Sequence, residues 1–213
     1  MFRRATLSLA ALATLTSPLH AQVQVSMSVF GGGFLPISDL FESIRVGDAG
    51  GPIVLNLGQE PALLAGGRVT FWLSRLGIEA EAGYGFSNLD LAPAIVDAGV
   101  PDDAPLFLGS LNLMYVIFQA PFTPLSLHAS AGGGIVSRGG DFLDLLDDTS
   151  DITGALGLGL RFGLGPAIRL RFDLKDYISS FAPTARNGFQ FDSRLQNDLI
   201  ATMGLEFVFR PGP

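Results

Sequence analysis

The stretch that decides the fold is Ile152-Thr153-Gly154-Ala155-Leu156-Gly157-Leu158-Gly159-Leu160-Arg161-Phe162. Every second residue, Ile152, Gly154, Leu156, Leu158, Leu160 and Phe162, is apolar or glycine, and a different set fills the gaps, ending on Arg161. Successive side chains of a strand point to opposite faces, so a two-residue period describes an extended segment with one apolar and one mixed face.

Working outward, the same period appears in eight segments, at about 22–34, 63–74, 77–88, 105–118, 125–137, 152–163, 166–176 and 197–210. The connections alternate in length. Those at 35–62, 89–104, 138–151 and 177–196 are long and rich in Pro, Gly and Asp, whereas Arg75-Leu76, Gln119 to Pro124 and Leu164-Gly165 are short. Short turns at one rim and long loops at the other are the pattern of membrane-spanning barrels, with both ends of the chain on the short-turn side.

The two faces decide which solvent the strands meet. One reads Val23, Val25, Met27, Val29 in the first segment, Phe107, Gly109, Leu111, Leu113, Tyr115, Ile117 in the fourth and Leu199, Ala201, Met203, Leu205, Phe207, Phe209 in the last. In all eight segments this face is free of charge and of Ser, Thr, Asn and Gln. The other face carries Arg68, Glu79, Glu81, Arg161, Arg169, Arg171, Asp173 and Glu206, together with Asn112 and His128. A charge facing lipid costs about 2–4 kcal/mol at mid-bilayer, which explains the exclusion. An open sheet edge would leave unpaired backbone groups in hydrocarbon, so the sheet must close. A water-soluble barrel would reverse the faces, and its interior has no room for this many Phe and Leu side chains. The expected fold is therefore an all-β, eight-stranded antiparallel up-and-down transmembrane β-barrel.

Composition agrees. Only 15% of residues are charged and mean hydropathy is +0.41, yet no long uncharged apolar run follows the N-terminus. At that terminus Arg3 and Arg4 precede an apolar stretch at 5–16, and cleavage is expected after Ala21. This is the layout of a signal peptide, and the stretch is too short to cross about 30 Å of hydrocarbon as a helix. Residues 1–21 are thus expected to be a signal peptide and 22–213 the barrel domain. Losing Arg3 and Arg4 makes the formal charge of −7 more negative, which argues against nucleic-acid binding. The chain has no cysteine, so disulfides and thiolate metal sites are excluded.

The last segment, Thr202-Met203-Gly204-Leu205-Glu206-Phe207-Val208-Phe209, resembles the C-terminal assembly signal of outer-membrane proteins. Thr202, Gly204, Phe207 and Phe209 occupy the polar, glycine and two aromatic places. Strand number, loop pattern and closing strand together resemble the small OmpA/OmpX-type outer-membrane barrel family. That resemblance implies export through the Sec machinery, insertion by the barrel-assembly machinery, and a monomer among membrane lipid and lipopolysaccharide. It does not imply a function. No peptidoglycan-binding module is expected after the last strand.

The charged inner set is the first candidate site. An eight-stranded interior is only just wide enough for side chains, and buried ions there must be paired. A structural salt-bridge network is expected, and a narrow gated path is the alternative. His128 and Ser130 resemble the His-x-Ser pair of lipid A deacylases, but such an enzyme needs the pair to face lipid, and here both fall in the inner phase. Asp141, Asp144, Asp147, Asp148 and Asp151 cluster in one loop without calcium-loop spacing, with interspersed leucines that suggest a helical turn, and read as solvated charge. Trp72 falls inside, as a plug or as a slip of register. Tyr84, Tyr115, Phe162, Phe207 and Phe209 fit interfacial girdles. No catalytic residue, cofactor or metal is expected. The expected role is envelope-structural or surface-interaction through the long loops, against two alternatives: a narrow pore or transporter for small or apolar solutes, and a lipid A-modifying enzyme using His128 and Ser130.

Overall fold

The computed structural model describes residues 23–38, 41–46, 53–90, 102–140, 146–147, 150–181, 184–185 and 194–209. The expected signal peptide, the tail after Phe209, and Asp141, Asp144 and Asp148 lie outside them.

Among the described residues thirteen strands follow in order. They are β1 (Val23–Pro36), β2 (Phe41–Val46), β3 (Ile53–Gln59), β4 (Ala62–Leu73), β5 (Leu76–Phe86), β6 (Leu89–Asp90) and β7 (Leu106–Gln119). Then come β8 (Leu125–Arg138), β9 (Leu146–Asp147), β10 (Ser150–Gly163), β11 (Ile168–Phe181), β12 (Thr184–Ala185) and β13 (Arg194–Phe209). Eight of them, β1, β4, β5, β7, β8, β10, β11 and β13, form a closed barrel in which each pairs with its neighbours in that order and β13 returns to β1. Every pairing is antiparallel. The short strands β2, β3 and β6 form a second sheet, and β9 pairs with β12. No described helix is long and apolar enough to cross a membrane.

The face assignment holds in every barrel strand. The outward residues of β10, from Ile152 to Phe162, are all exposed, while Thr153, Ala155 and Arg161 are buried. The glycine and apolar outward residues elsewhere are exposed or half-exposed, including the five girdle aromatics Tyr84, Tyr115, Phe162, Phe207 and Phe209. Trp72 is inside and buried, so the register at the end of β4 does not slip. In β7 a register shift between Val116 and Phe118 turns Ile117 and Phe118 outward together. Such a bulge adds one residue to one strand, which period-two reading does not anticipate.

Three boundaries differ from expectation. The first turn is Ser74-Arg75, with Ser74 at φ 58°, and Leu76 already belongs to β5. A tight hairpin needs a left-handed residue, and Ser74 supplies it. Strands β11 and β13 extend to Phe181 and from Arg194, well into the expected loop at 177–196. Their ladder continues past Asp176 and Asn197, which interrupt the apolar outward face, so the hydropathy pattern stops before the hydrogen bonding does. Finally, Leu146–Asp147 is a short strand, not part of a helical turn.

The belt gives a direct check. Leu158 is exposed on the outer face, flanked by Ala129 and Leu174. Leu158→Arg should cost about 2–4 kcal/mol in bilayer-refolded protein, measured by urea unfolding. A loss under about 0.5 kcal/mol would contradict a lipid-facing position.

Candidate functional site

The barrel wall turns a second set of side chains inward, and these fill the lumen in tiers. The middle tier is ionic. From β4, Arg68 pairs with Glu81, donates to Asp173 Oδ2 at 2.8 Å and donates to Thr202 Oγ1 at 2.6 Å. From β11, Arg171 donates to Glu79 at 2.5 and 3.1 Å and to Asp173 at 2.8 and 2.9 Å. Lys175 donates to Glu79 at 3.1 Å and to Glu81 at 2.6 Å, and the Tyr177 hydroxyl donates to Glu81 at 2.9 Å. Thr70 donates to Glu79 at 2.8 Å. Three cations thus meet three carboxylates. Charge-assisted bonds of this length are among the strong ones, and they offset the cost of burying ions.

Space for this tier comes from glycine. A Cβ on Gly159 would stand 2.5 Å from both Asp173 Oδ1 and the His128 ring, where His128 Nε2 lies 3.0 Å from that same oxygen.

Above the ions lies an apolar tier that includes Phe30, Phe34, Leu64, Leu106, Leu108 and Ile200, all buried. Phe30 joins the two tiers, since the Arg68 guanidinium stands 4.0 Å over its ring. Beyond that tier Arg138 donates to Asp198 at 2.6 Å, to Asp151 at 3.2 Å and to Gln59 at 3.1 Å. Below the ions, at the short-turn end, Trp72, Met114 and Val116 form a second apolar cluster. The Arg161 guanidinium stands 4.0 Å over the Trp72 ring, and a Cβ on Gly77 would meet the indole at 2.8 Å.

The eight charged residues singled out from the sequence all lie on the inner face. Arg68, Glu79, Glu81, Arg171 and Asp173 converge in the middle tier. Arg161, Arg169 and Glu206 sit apart at the short-turn mouth, with Glu206 Oε1 4.0 Å from Arg161 and 3.7 Å from Arg169. Sequence reading missed Lys175, Tyr177, Arg138 and Asp198. Extending the inner phase of Arg169, Arg171 and Asp173 two and four residues would have found the first pair. Asp151 is a correction: it belongs to β10 and is buried against Arg138, not solvated in a loop.

His128 and Ser130 are both buried on the inner face. They do not face lipid, as a deacylase would require. Of the four residues expected to form an assembly signal, Phe207 and Phe209 are exposed on the outer face, Thr202 bonds Arg68, and Gly204 pairs with Phe30 across the β1–β13 seam.

No family model matches the sequence, and no curated protein does. Solved structures do. The chain is similar to the outer membrane protein OprG from Pseudomonas aeruginosa, with 11% identity, 90% of this chain and 98% of that one covered, and a TM-score of 0.64. It is similar to the outer membrane protein AlkL, seen in DMPC bilayers, with 16% identity, coverage of 90% and 92%, and a TM-score of 0.61. Against outer membrane protein W of E. coli the values are 14%, 90%, 100% and 0.53. The fold is that of the small outer-membrane β-barrels. With the uncharged apolar belt around the closed sheet, this makes the chain an integral outer-membrane barrel of the cell envelope. In such a barrel the outer face is solvated by lipid, and the tiers described above are its interior.

Proposed function

We propose that this outer-membrane barrel is a closed, non-enzymatic protein with an envelope-structural or surface-interaction role carried by its long connections. The observation that carries the reading is the filled lumen. Glu79, Arg171 and His128 in the middle tier have 0% solvent exposure, and apolar clusters lie on either side of them. A water-filled path through that tier would wet these groups. The charged inner residues then act structurally, tying strands β4, β5, β8, β11 and β13 together.

The same reading has Thr202, Gly204, Phe207 and Phe209 recognised by the barrel-assembly machinery after Sec export, residues 1–21 removed as a signal peptide, and a monomer surrounded by phospholipid and lipopolysaccharide. Planar bilayers test it. The refolded protein should give no steady conductance above the bare membrane. A stable, voltage-independent conductance that changes in Arg171→Ala would overturn the closed reading in favour of a narrow pore.

A further inference from the structure

We propose that the periplasmic mouth of the barrel is a binding site for a small organic oxyanion, a phosphate or carboxylate carried on a hydroxylated group. A cavity of about 460 Å³ opens there, bounded by Arg161, Arg169, Trp72, Gln24, Gln119 and Ser126. Its charge balance differs from that of the middle tier. Two guanidinium groups face one carboxylate, Glu206, and the distances of 3.7 and 4.0 Å are too long for hydrogen bonds. Both Glu206 oxygens and Arg161 Nε are buried with no hydrogen-bond partner among the described residues. Arg171 and Arg68, by contrast, hydrogen-bond their carboxylates, with no contact longer than 3.1 Å.

The cations are nevertheless held in place. The Arg161 guanidinium carbon stands 4.0 Å over the Trp72 ring, and Arg169 donates to Gln24 Oε1 at 3.3 Å. A guanidinium held over a ring keeps its N–H donors, of which Arg161 Nε has no partner among the described residues, and such donors match two oxygens of a phosphate or carboxylate. Arg169 is about a quarter exposed, which gives a ligand access. The remaining polar side chains, the amides of Gln24 and Gln119 and the hydroxyls of Ser74 and Ser126, suit the hydroxyls of a sugar-sized body, and the volume exceeds that of a bare phosphate several-fold. Glu206 serves as an internal competitor for the two arginines.

The chain contains one tryptophan, Trp72, so its emission reports this mouth alone. Protein refolded in maltoside micelles should show a saturable fluorescence change with glucose 6-phosphate and none with glucose or with potassium chloride at matched ionic strength. Arg161→Gln and Arg169→Gln should each weaken binding at least about tenfold, with Arg169→Gln, at the wetter position, guarding against misfolding. Glu206→Gln should tighten binding several-fold, an effect that a purely structural Glu206 would not produce. Dihexanoylphosphatidylglycerol forms a second arm. Saturation with it alone supports the oxyanion site and assigns the group to a lipid headgroup. No saturable response to either probe, or titrations unchanged in both arginine variants while the gel shift of the folded barrel persists, would overturn the proposal.

Discussion

Arg171→Met should lower the unfolding free energy of the refolded barrel by about 3–5 kcal/mol, the cost of removing one partner from a buried ion pair. The size follows from what is left behind. Arg171 is wholly buried and bonds both Glu79 and Asp173. Without it, three carboxylates share Arg68 and Lys175 in a buried tier. The double variant Arg171→Met with Glu79→Gln removes one charge of each sign and should recover roughly half of the loss, because the two sites are in direct contact and non-additive. Urea titration in bilayers measures both. A single-variant loss near 1 kcal/mol, the range of a surface pair, would mean that the tier is wetter than its burial implies.

Gly204→Val is the second large effect, and it separates two explanations for one residue. Its place in the C-terminal motif suggests recognition by an assembly machine. Its surroundings give a second reason: a Cβ there would stand 2.3 Å from the Val29 carbonyl oxygen and 2.9 Å from Phe30 Cβ. Phe30 cannot readily retreat, being buried beneath Arg68. Overpacking of this kind costs about 1–3 kcal/mol and can exceed that where backbone is struck. Purified Gly204→Val protein should therefore refold poorly into detergent or lipid with no machinery present, judged by its gel mobility before and after heating. Refolding equal to the parent would leave recognition as the sole role of the glycine.

Much of this fold was legible because the bilayer imposes a strict rule on one face. Leu156, Leu158 and Leu160 recur at every second position because lipid tolerates no polar group on that face, so strand number and phase could be read directly. The rule ends where the hydrocarbon ends. Asp176 and Asn197 break the outward pattern although the β11–β13 ladder runs on to Phe181 and Arg194, which is why the strands are longer than their apolar stripes. The interior follows no comparable period. Nothing in the sequence says that Arg171 reaches Glu79 across the lumen while Arg161 turns down onto Trp72, since partner choice depends on strand stagger and on the gaps left by residues such as Gly77 and Gly159. Lys175 was within reach of the pattern; the pairing of Arg138 with Asp151 and Asp198 was not.

The middle tier also constrains the order in which the molecule can be built. Its members come from β4, β5, β8, β11 and β13, and the bond from Arg68 to Thr202 joins residues 134 apart in sequence. No hairpin is neutral as a whole: β4 and β5 bring one cation with Glu79 and Glu81, while β11 brings Arg171 and Lys175 with a single carboxylate. A half-formed sheet in the membrane would present unmatched ions to hydrocarbon. Closing the wall therefore also completes the charge balance of the interior, so the two steps are expected to be coupled.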